Sequence, residues 1–457
     1  MKISDGMNPL SQYIDLYKAR KELVDNASSP VINALRDEAC DILEHTVLPP
    51  KGSENYETIS IGDLLAPDYG INLNRINIDV NAVAPFRCGV PNLTPAIFFF
   101  RNDIYAESAD CRKNFPEGLY VGSLKNFCCE YPLMAQKYYG KIADMRNPIV
   151  ALNSLLVQDG IVIWVKENVK VNFPIQIVSI LENGAPLMAF RRILVIAEKN
   201  AEINILTCDH TQSSDIDLFT LQVSEIEAGE NAKVSIYEME ESTEKTVRLS
   251  SLYSKQKAFS NLSGVGVTLF NGTTRNEYHC TFEGRNADLK LSGMAIADKS
   301  RSIDNFSEVI HTYPECHTDE LFKYVIDDNA TGTFSGMIKV EKGAVRTEAY
   351  QNNRNIIGND GARVYSKPRL EIYDDDVKCS HGSATGQLDE KQIFYMRTRG
   401  LSEDTARFLL KQAFMADVID RIDLPEFKMR LHSLVERRFA GENSNCTTCR
   451  NNCLPND

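Results

Sequence analysis

Asn200-Ala201-Glu202-Ile203-Asn204-Ile205 is followed about thirty residues later by Asn231-Ala232-Lys233-Val234-Ser235-Ile236, and a similar interval earlier stands Asn168-Val169-Lys170-Val171-Asn172-Phe173. Each copy reads as a turn opening an alternating strand, with apolar residues every second position. Asn suits the turn because it tolerates the left-handed conformation, and Ala fits where successive coils approach closely. A period near thirty, filled with short strands and little helix signal, is what a parallel β-helix or other β-solenoid requires, because each coil stacks its strands on the next. Two later copies, Asn286-Ala287-Asp288-Leu289-Lys290-Leu291 and the weaker Asn329-Ala330-Thr331-Gly332-Thr333-Phe334, follow at roughly fifty-five and forty-three residues. These intervals break a strict repeat and leave an antiparallel sandwich as the alternative.

Outward from the repeat the pattern changes on both sides. The first fifty residues read as two amphipathic helices, one marked by Tyr13, Leu16, Tyr17 and Leu23 and the next by Val31, Leu35, Ala39 and Leu43, closed by Pro49-Pro50. From about Tyr56 to Glu130 short apolar runs such as Ile97-Phe98-Phe99-Phe100 alternate with Pro, Gly and Asn, a mixed region whose topology the pattern leaves open. Helices return after Gly386. Ser402 is placed as an N-cap ahead of Glu403 and Asp404, and Ala406, Leu409, Leu410, Ala413, Phe414, Val418 and Ile422 form an apolar stripe. A second helix starts near Pro425 and carries Phe427, Leu431, Leu434 and Phe439. The expected organisation is an N-terminal helical and mixed region (1–150), a parallel β-helix core (151–385), a C-terminal helical hairpin (386–440) and a Cys-containing tail (441–457).

The chemistry gathers near the end of the core, in Lys378-Cys379-Ser380-His381. On a strand, residues i and i+2 share a face, so Cys379 and His381 can offer sulfur and nitrogen to one soft metal or one iron-sulfur centre. Such centres need about four ligands, so the others must come from elsewhere in the chain or from a partner; the alternative is a buried strand cysteine beside a turn histidine. The tail places Cys446, Cys449 and Cys453 at chelating intervals, which suits zinc, an iron-sulfur centre, or a redox-sensitive tail with no such role. His311, Cys316 and His317 have the composition of a metal cluster or of a satisfied His pair, and Asp374-Asp375-Asp376 reads as a solvated strand edge.

A net charge of -13 without a Lys/Arg-rich run argues against nucleic acid as a partner. The longest apolar runs are too short to span a bilayer, so no membrane role is expected. Twelve cysteines without a secretory signal point to a reducing, cytoplasmic location, with Cys40, Cys88, Cys111 and Cys208 simply packed. The phosphate-loop sequence is missing, so the chain itself should not hydrolyse ATP, and Gly264-Val265-Gly266 sits in strand-like sequence as a structural fragment.

Phe334-Ser335-Gly336-Met337-Ile338-Lys339-Val340, then Ala344, Thr347, Gln351 and Asn353, then Pro368-Arg369-Leu370-Glu371-Ile372, Asp375-Asp376-Val377-Lys378-Cys379-Ser380-His381-Gly382, and Ile393-Phe394-Tyr395-Met396-Arg397-Thr398-Arg399-Gly400 follow one another in order. Together they resemble the SufB/SufD family of iron-sulfur cluster assembly proteins. The SufB branch carries an E-H-E-A type sequence where this chain has Lys378-Cys379-Ser380-His381, so the SufD branch is favoured. The resemblance implies a mainly β fold, a right-handed parallel β-helix flanked by N-terminal and C-terminal helical segments. It also implies a non-catalytic scaffold subunit that pairs with a SufB-like paralogue and docks a SufC-like ATPase on its C-terminal helices, where Phe394, Tyr395, Arg399, Phe408 and Phe414 are the candidates. A transient iron-sulfur cluster is then expected at the subunit interface, with His381 and Cys379 on this side of it, and self-association of the isolated chain stays open. Two departures are Ser383-Ala384-Thr385 after the His-Gly pair and the Cys446/Cys449/Cys453 tail, whose role in metal or sulfur handling is open. Readings from other classes are a β-solenoid enzyme acting on polysaccharide, with Asp374 to Asp376 as acid/base groups, and a metal or redox protein centred on the tail.

Overall fold

The computed structural model describes residues 8–76, 96–107, 111–211 and 215–441. Cys88 and the tail cysteines Cys446, Cys449 and Cys453 lie outside these residues. Among the described residues two sheets of ten strands face each other, and from Ile161–Val165 onward successive strands of the chain alternate between them. Pairing between these alternating strands is parallel: Glu202, Lys233, Asn261, Asp288, His317, Glu348 and Lys378 stand in register down the second sheet. The fold is therefore a parallel β-solenoid, and the sandwich alternative is excluded. Alternate side chains of both sheets meet in a single core, to which Ile203, Ile205, Val234, Ile236, Leu289 and Leu291 contribute from the repeat units.

The corners explain the broken repeat. Asn168, Asn200, Asn231, Phe259, Asn286, Glu315 and Arg346 all adopt φ between +54° and +63° and precede strands of the second sheet. The interval of fifty-five residues is thus two coils, with Phe259-Ser260 standing where Asn-Ala was expected. The fifth copy is displaced. There the left-handed residue is Asp328 rather than Asn329, and the strand it introduces, Thr331–Val340, belongs to the opposite sheet. Ala201, Ala232, Ser260, Ala287, Cys316 and Thr347 follow the left-handed corners and are all buried, which is why small residues recur there. Where Asn is kept it forms a ladder: Nδ2 of Asn231 donates to Oδ1 of Asn200 (2.8 Å), and Nδ2 of Asn200 to Oδ1 of Asn168 (2.7 Å).

The interior is not uniformly apolar. Arg191 pairs with Asp209 (2.8 Å), Asp209 with Arg248 (2.8 Å), and Arg248 donates to Asn276. Asn276 donates in turn to Asn305 (2.9 Å) and Asn305 to the Tyr324 hydroxyl (2.7 Å). Low local dielectric makes such a chain valuable only when its members are partnered, so each coil supplies the next with a donor or acceptor.

Helices cover the two outer faces. Over the first sheet lie Ser11–Asn26, Pro30–Asn33, Arg36–His45 and Pro148–Leu156, whose buried residues share a core with Trp164, Phe190, Phe219 and Leu249. The expected first helix is present, but Val24 is buried while Leu23 is exposed, and the second is broken by a turn before Arg36. Buried Arg36 donates to the Val157 carbonyl (2.7 Å), tying this layer to the start of the solenoid. Strands Ile97–Arg101 and Leu119–Ser123 from the mixed region join one sheet each at the upstream end.

The second sheet is covered by Glu403–Ile419 and Pro425–Phe439, with Ser402 capping the first by accepting from the Thr405 amide (3.1 Å), as the sequence predicts. A further helix, Glu390–Thr398, precedes them. Met415, Val418, Ile419, Phe427 and Leu431 pack on Tyr237, Val267, Met294 and Val325 of the sheet. Cations clamp this contact: Nζ of Lys323 donates to the Phe414 carbonyl (2.9 Å), and Nε of Arg438 to that of Leu269 (2.7 Å).

Candidate functional site

With both outer faces covered, the downstream end of the solenoid is what remains open. Strands Arg363–Ile372 and Lys378–Gly386 are the last of their sheets, each with one neighbour, and their residues are mostly half-buried or exposed. Such an edge presents unpaired backbone donors and acceptors ready for another chain. Large apolar side chains also stand exposed on this coil, at Tyr365, Ile372 and Tyr373. A strap from the N-terminal layer reaches it, because Glu57 pairs with Lys367 (2.8 Å) and Thr58 hydrogen-bonds Thr333 (2.7 Å).

Cys379 and His381 lie on the last strand, on the face that continues the solenoid interior. Cys379 is in register with buried Ala349 and packs half-buried against the central core, and that burial pushes its thiol up from the ordinary value. His381 stands exposed at the rim, in register with Gln351. The i, i+2 spacing thus places both donors on one face, as expected. Among the described residues there is no group of three or more His, Cys, Asp or Glu side chains arranged to hold a metal, so the pair finds no further ligand among them.

The His311, Cys316 and His317 grouping is dispersed by the strand geometry. His311 is buried against Phe282 with Nε2 at 2.9 Å from the Thr318 hydroxyl, and burial holds it neutral, down at about 3. Cys316 turns its thiol to the Gly284 carbonyl (3.2 Å), and His317 pairs with Asp288 (2.8 Å) on the outer side. Asp374 to Asp376 form the turn between the last two strands, where Asp374 accepts from the Gly343 amide (3.0 Å).

The helical candidates divide. Phe394 and Tyr395 are 68% and 58% exposed on Glu390–Thr398, and Nη2 of Arg399 donates to the Tyr395 hydroxyl (2.9 Å) while its guanidinium lies over that ring. Phe408 is half-buried. Phe414 packs on the sheet's outer core, with the Lys323 ammonium 4.3 Å from its ring centroid, and so is engaged within the chain. Sequence reasoning missed the exposed aromatics of the last coil and the buried acid Glu320. The latter is found by stepping back from His381 through Gln351 at the coil period.

An open coil end carrying a sulfur/nitrogen pair, between two helical layers, places the chain in the class of β-solenoid scaffolds. Residues 180–414 match the family described as "SUF system FeS cluster assembly, SufBD core domain", and residues 7–177 match "SufBD protein N-terminal region". The chain belongs to the SufBD family of iron-sulfur cluster assembly proteins. It is 27% identical over 424 residues to an iron-sulfur cluster assembly SufBD family protein of Synechocystis, covering 91% of this chain and 93% of that protein. It is 31% identical over 167 residues to iron-sulfur cluster assembly protein SufD of Escherichia coli (36% of this chain, 40% of that protein). To SufD of Bacillus subtilis it is 25% identical over 315 residues, 68% of this chain and 71% of that protein.

Proposed function

We propose that this chain is the SufD-like scaffold subunit of an ATP-dependent iron-sulfur assembly complex, itself without catalytic activity or bound nucleotide. Its open coil end pairs with a SufB-like paralogue, and the cluster, as cargo, is built between His381 on this side and thiolates on the other. The observation that carries the reading is the half-complete Cys379/His381 pair on an uncapped end lined by exposed Tyr365, Ile372 and Tyr373. Such an edge needs a partner strand, and such a pair needs partner ligands. A neutral imidazole also holds iron less tightly than a thiolate, which suits a cluster meant to leave. The exposed Phe394/Tyr395 surface is the docking site for a SufC-like ATPase, in keeping with aromatic and arginine anchors at interfaces.

The test is anaerobic affinity purification of the tagged chain from its native cytosol with identification of stoichiometric partners. Recovery of a paralogous β-solenoid chain and an ATPase is expected; recovery of the chain alone refutes the reading. Phe394→Glu with Tyr395→Glu should release the ATPase about 30-fold more readily while keeping the paralogue, the loss of a hot spot of about 2 kcal/mol. His381→Ala should keep both partners and lose bound iron and sulfide.

A further inference from the structure

One lane of the interior changes character toward the open end. Down the second sheet, Ile205, Ile236, Gly264 and Leu291 stand in register, and the next three positions of the same lane are Glu320, Gln351 and His381. Four apolar or small residues thus give way to an acid, an amide and an imidazole. Glu320 and Gln351 are both fully buried, and burying polar groups is costly unless they are partnered. The partnership is only half made. Nε2 of Gln351 donates to Oε2 of Glu320, but Oε1 of Gln351 is buried without a partner.

The surroundings of that oxygen narrow what can serve it. Behind it stands Glu320, whose Oε2 receives the amide nitrogen and whose Oε1 is likewise buried without a partner. Across the core lies Gly336, where a Cβ would come within 2.4 Å of Gln351 Nε2, so the opposite strand is kept bare to make room for the amide. Along its own strand the interior neighbours are Ala349, without a donor, and Asn353, whose Nδ2 donates to the Phe322 carbonyl (3.3 Å) and to Asn355 (3.2 Å). The remaining direction leads one register position forward, to His381 at the rim.

We propose that Gln351, held by Glu320 and accommodated by Gly336, is the positioning residue for His381. Its side-chain oxygen accepts the N–H of one imidazole nitrogen, which fixes the tautomer and leaves the other nitrogen, with its lone pair, facing out of the open end. Metal-binding imidazoles are commonly oriented in this way by an acceptor on their second nitrogen. The carboxyl beneath supplies direction, because an amide whose nitrogen is held at the acid carries its oxygen on the other side of the amide carbon, away from Glu320. The inference rests on the reading of His381 as a ligand for its purpose, but its geometry is tested without any cluster.

The experiment is 15N NMR of the full-length chain labelled at its seven histidines, at a pH where imidazole is neutral, with the His381 signals assigned by their loss in His381→Asn. The expected result is one protonated-type and one unprotonated-type nitrogen for His381. Those two signals should collapse toward a common averaged value in Gln351→Leu and separate again in Gln351→Glu, which restores an acceptor. Averaged signals in the unaltered protein overturn the proposal without recourse to any variant, as does an unchanged pattern in a folded Gln351→Leu chain. A fixed tautomer that depends on Gln351, together with normal cluster assembly in His381→Ala complexes, would instead retain the positioning and remove the ligand reading above.

Discussion

Glu240→Gln should change how the fold's stability depends on pH. Glu240 is 3% exposed inside the solenoid, where Thr274 donates to its carboxyl (2.9 Å) and Arg248 lies in the same polar network. Burial outweighs these contacts and pushes the carboxyl up from 4.5 to about 7. Between those values the folded protein keeps a proton that the unfolded chain has already lost. The unfolded state therefore binds fewer protons, and stability falls as pH rises through this window, then stays level above about 7. At about 1.4 kcal/mol for each pH interval of one, the total loss attributable to this group is about 3 kcal/mol. The glutamine cannot ionise and can still accept from the threonine hydroxyl. Urea unfolding followed by far-ultraviolet circular dichroism at pH 5 and pH 8 reads the difference: the unaltered chain should lose about 3 kcal/mol more than the variant over that range. The other raised carboxyls, Glu320, Asp304, Glu238, Glu227 and Asp103, are present in both chains and cancel. Parallel pH dependence in the two proteins would refute the reasoning.

Asn231→Ala removes both a residue suited to φ +56° and the ladder hydrogen bond to Asn200, and should cost about 1–2 kcal/mol in urea unfolding, with Asn231→Gly costing less because glycine accepts that backbone conformation. Gly293→Ala brings a Cβ within 2.4 Å of the Phe322 ring and should destabilise by about 1–3 kcal/mol, partly recovered by Phe322→Leu in the same chain, as a double-mutant cycle would measure. Arg438→Ala removes the hydrogen bonds to Leu269 and Asp298 that clamp the last helix. Amide exchange in Pro425–Phe439 should accelerate about 30-fold, corresponding to about 2 kcal/mol, while exchange in the central strands stays unchanged.

What the sequence revealed follows from how local each signal is. Asn168, Asn200, Asn231 and Asn286 disclose the corners because their residue type matches the backbone demanded of them. Phe259, Glu315 and Arg346 meet the same demand with side chains that give no hint of it, since the neighbouring coils impose the conformation. The shared face of Cys379 and His381 is a period-two property and was legible; the openness of their end was not, because an edge strand is defined by what fails to follow it in space. The family resemblance likewise grouped Phe414 with Phe394 as docking candidates, although one aromatic lies against the sheet and the other faces solvent. The Glu320–Gln351 pair spans one full coil, and only the register makes it visible.

The upstream end of the solenoid closes with reversal of direction: Ile104–Glu107 and Leu119–Ser123 run antiparallel to the strands they join. An incoming coil stacking there would meet strands of the wrong polarity, whereas the downstream end continues the parallel register to its last residue. Among the described residues the solenoid therefore has one parallel tip rather than two. A parallel stack of such coils cannot be continued in the same polarity past the four or five antiparallel residues at the far end, which limits the hazard that a long stacked array carries, propagation into a fibre.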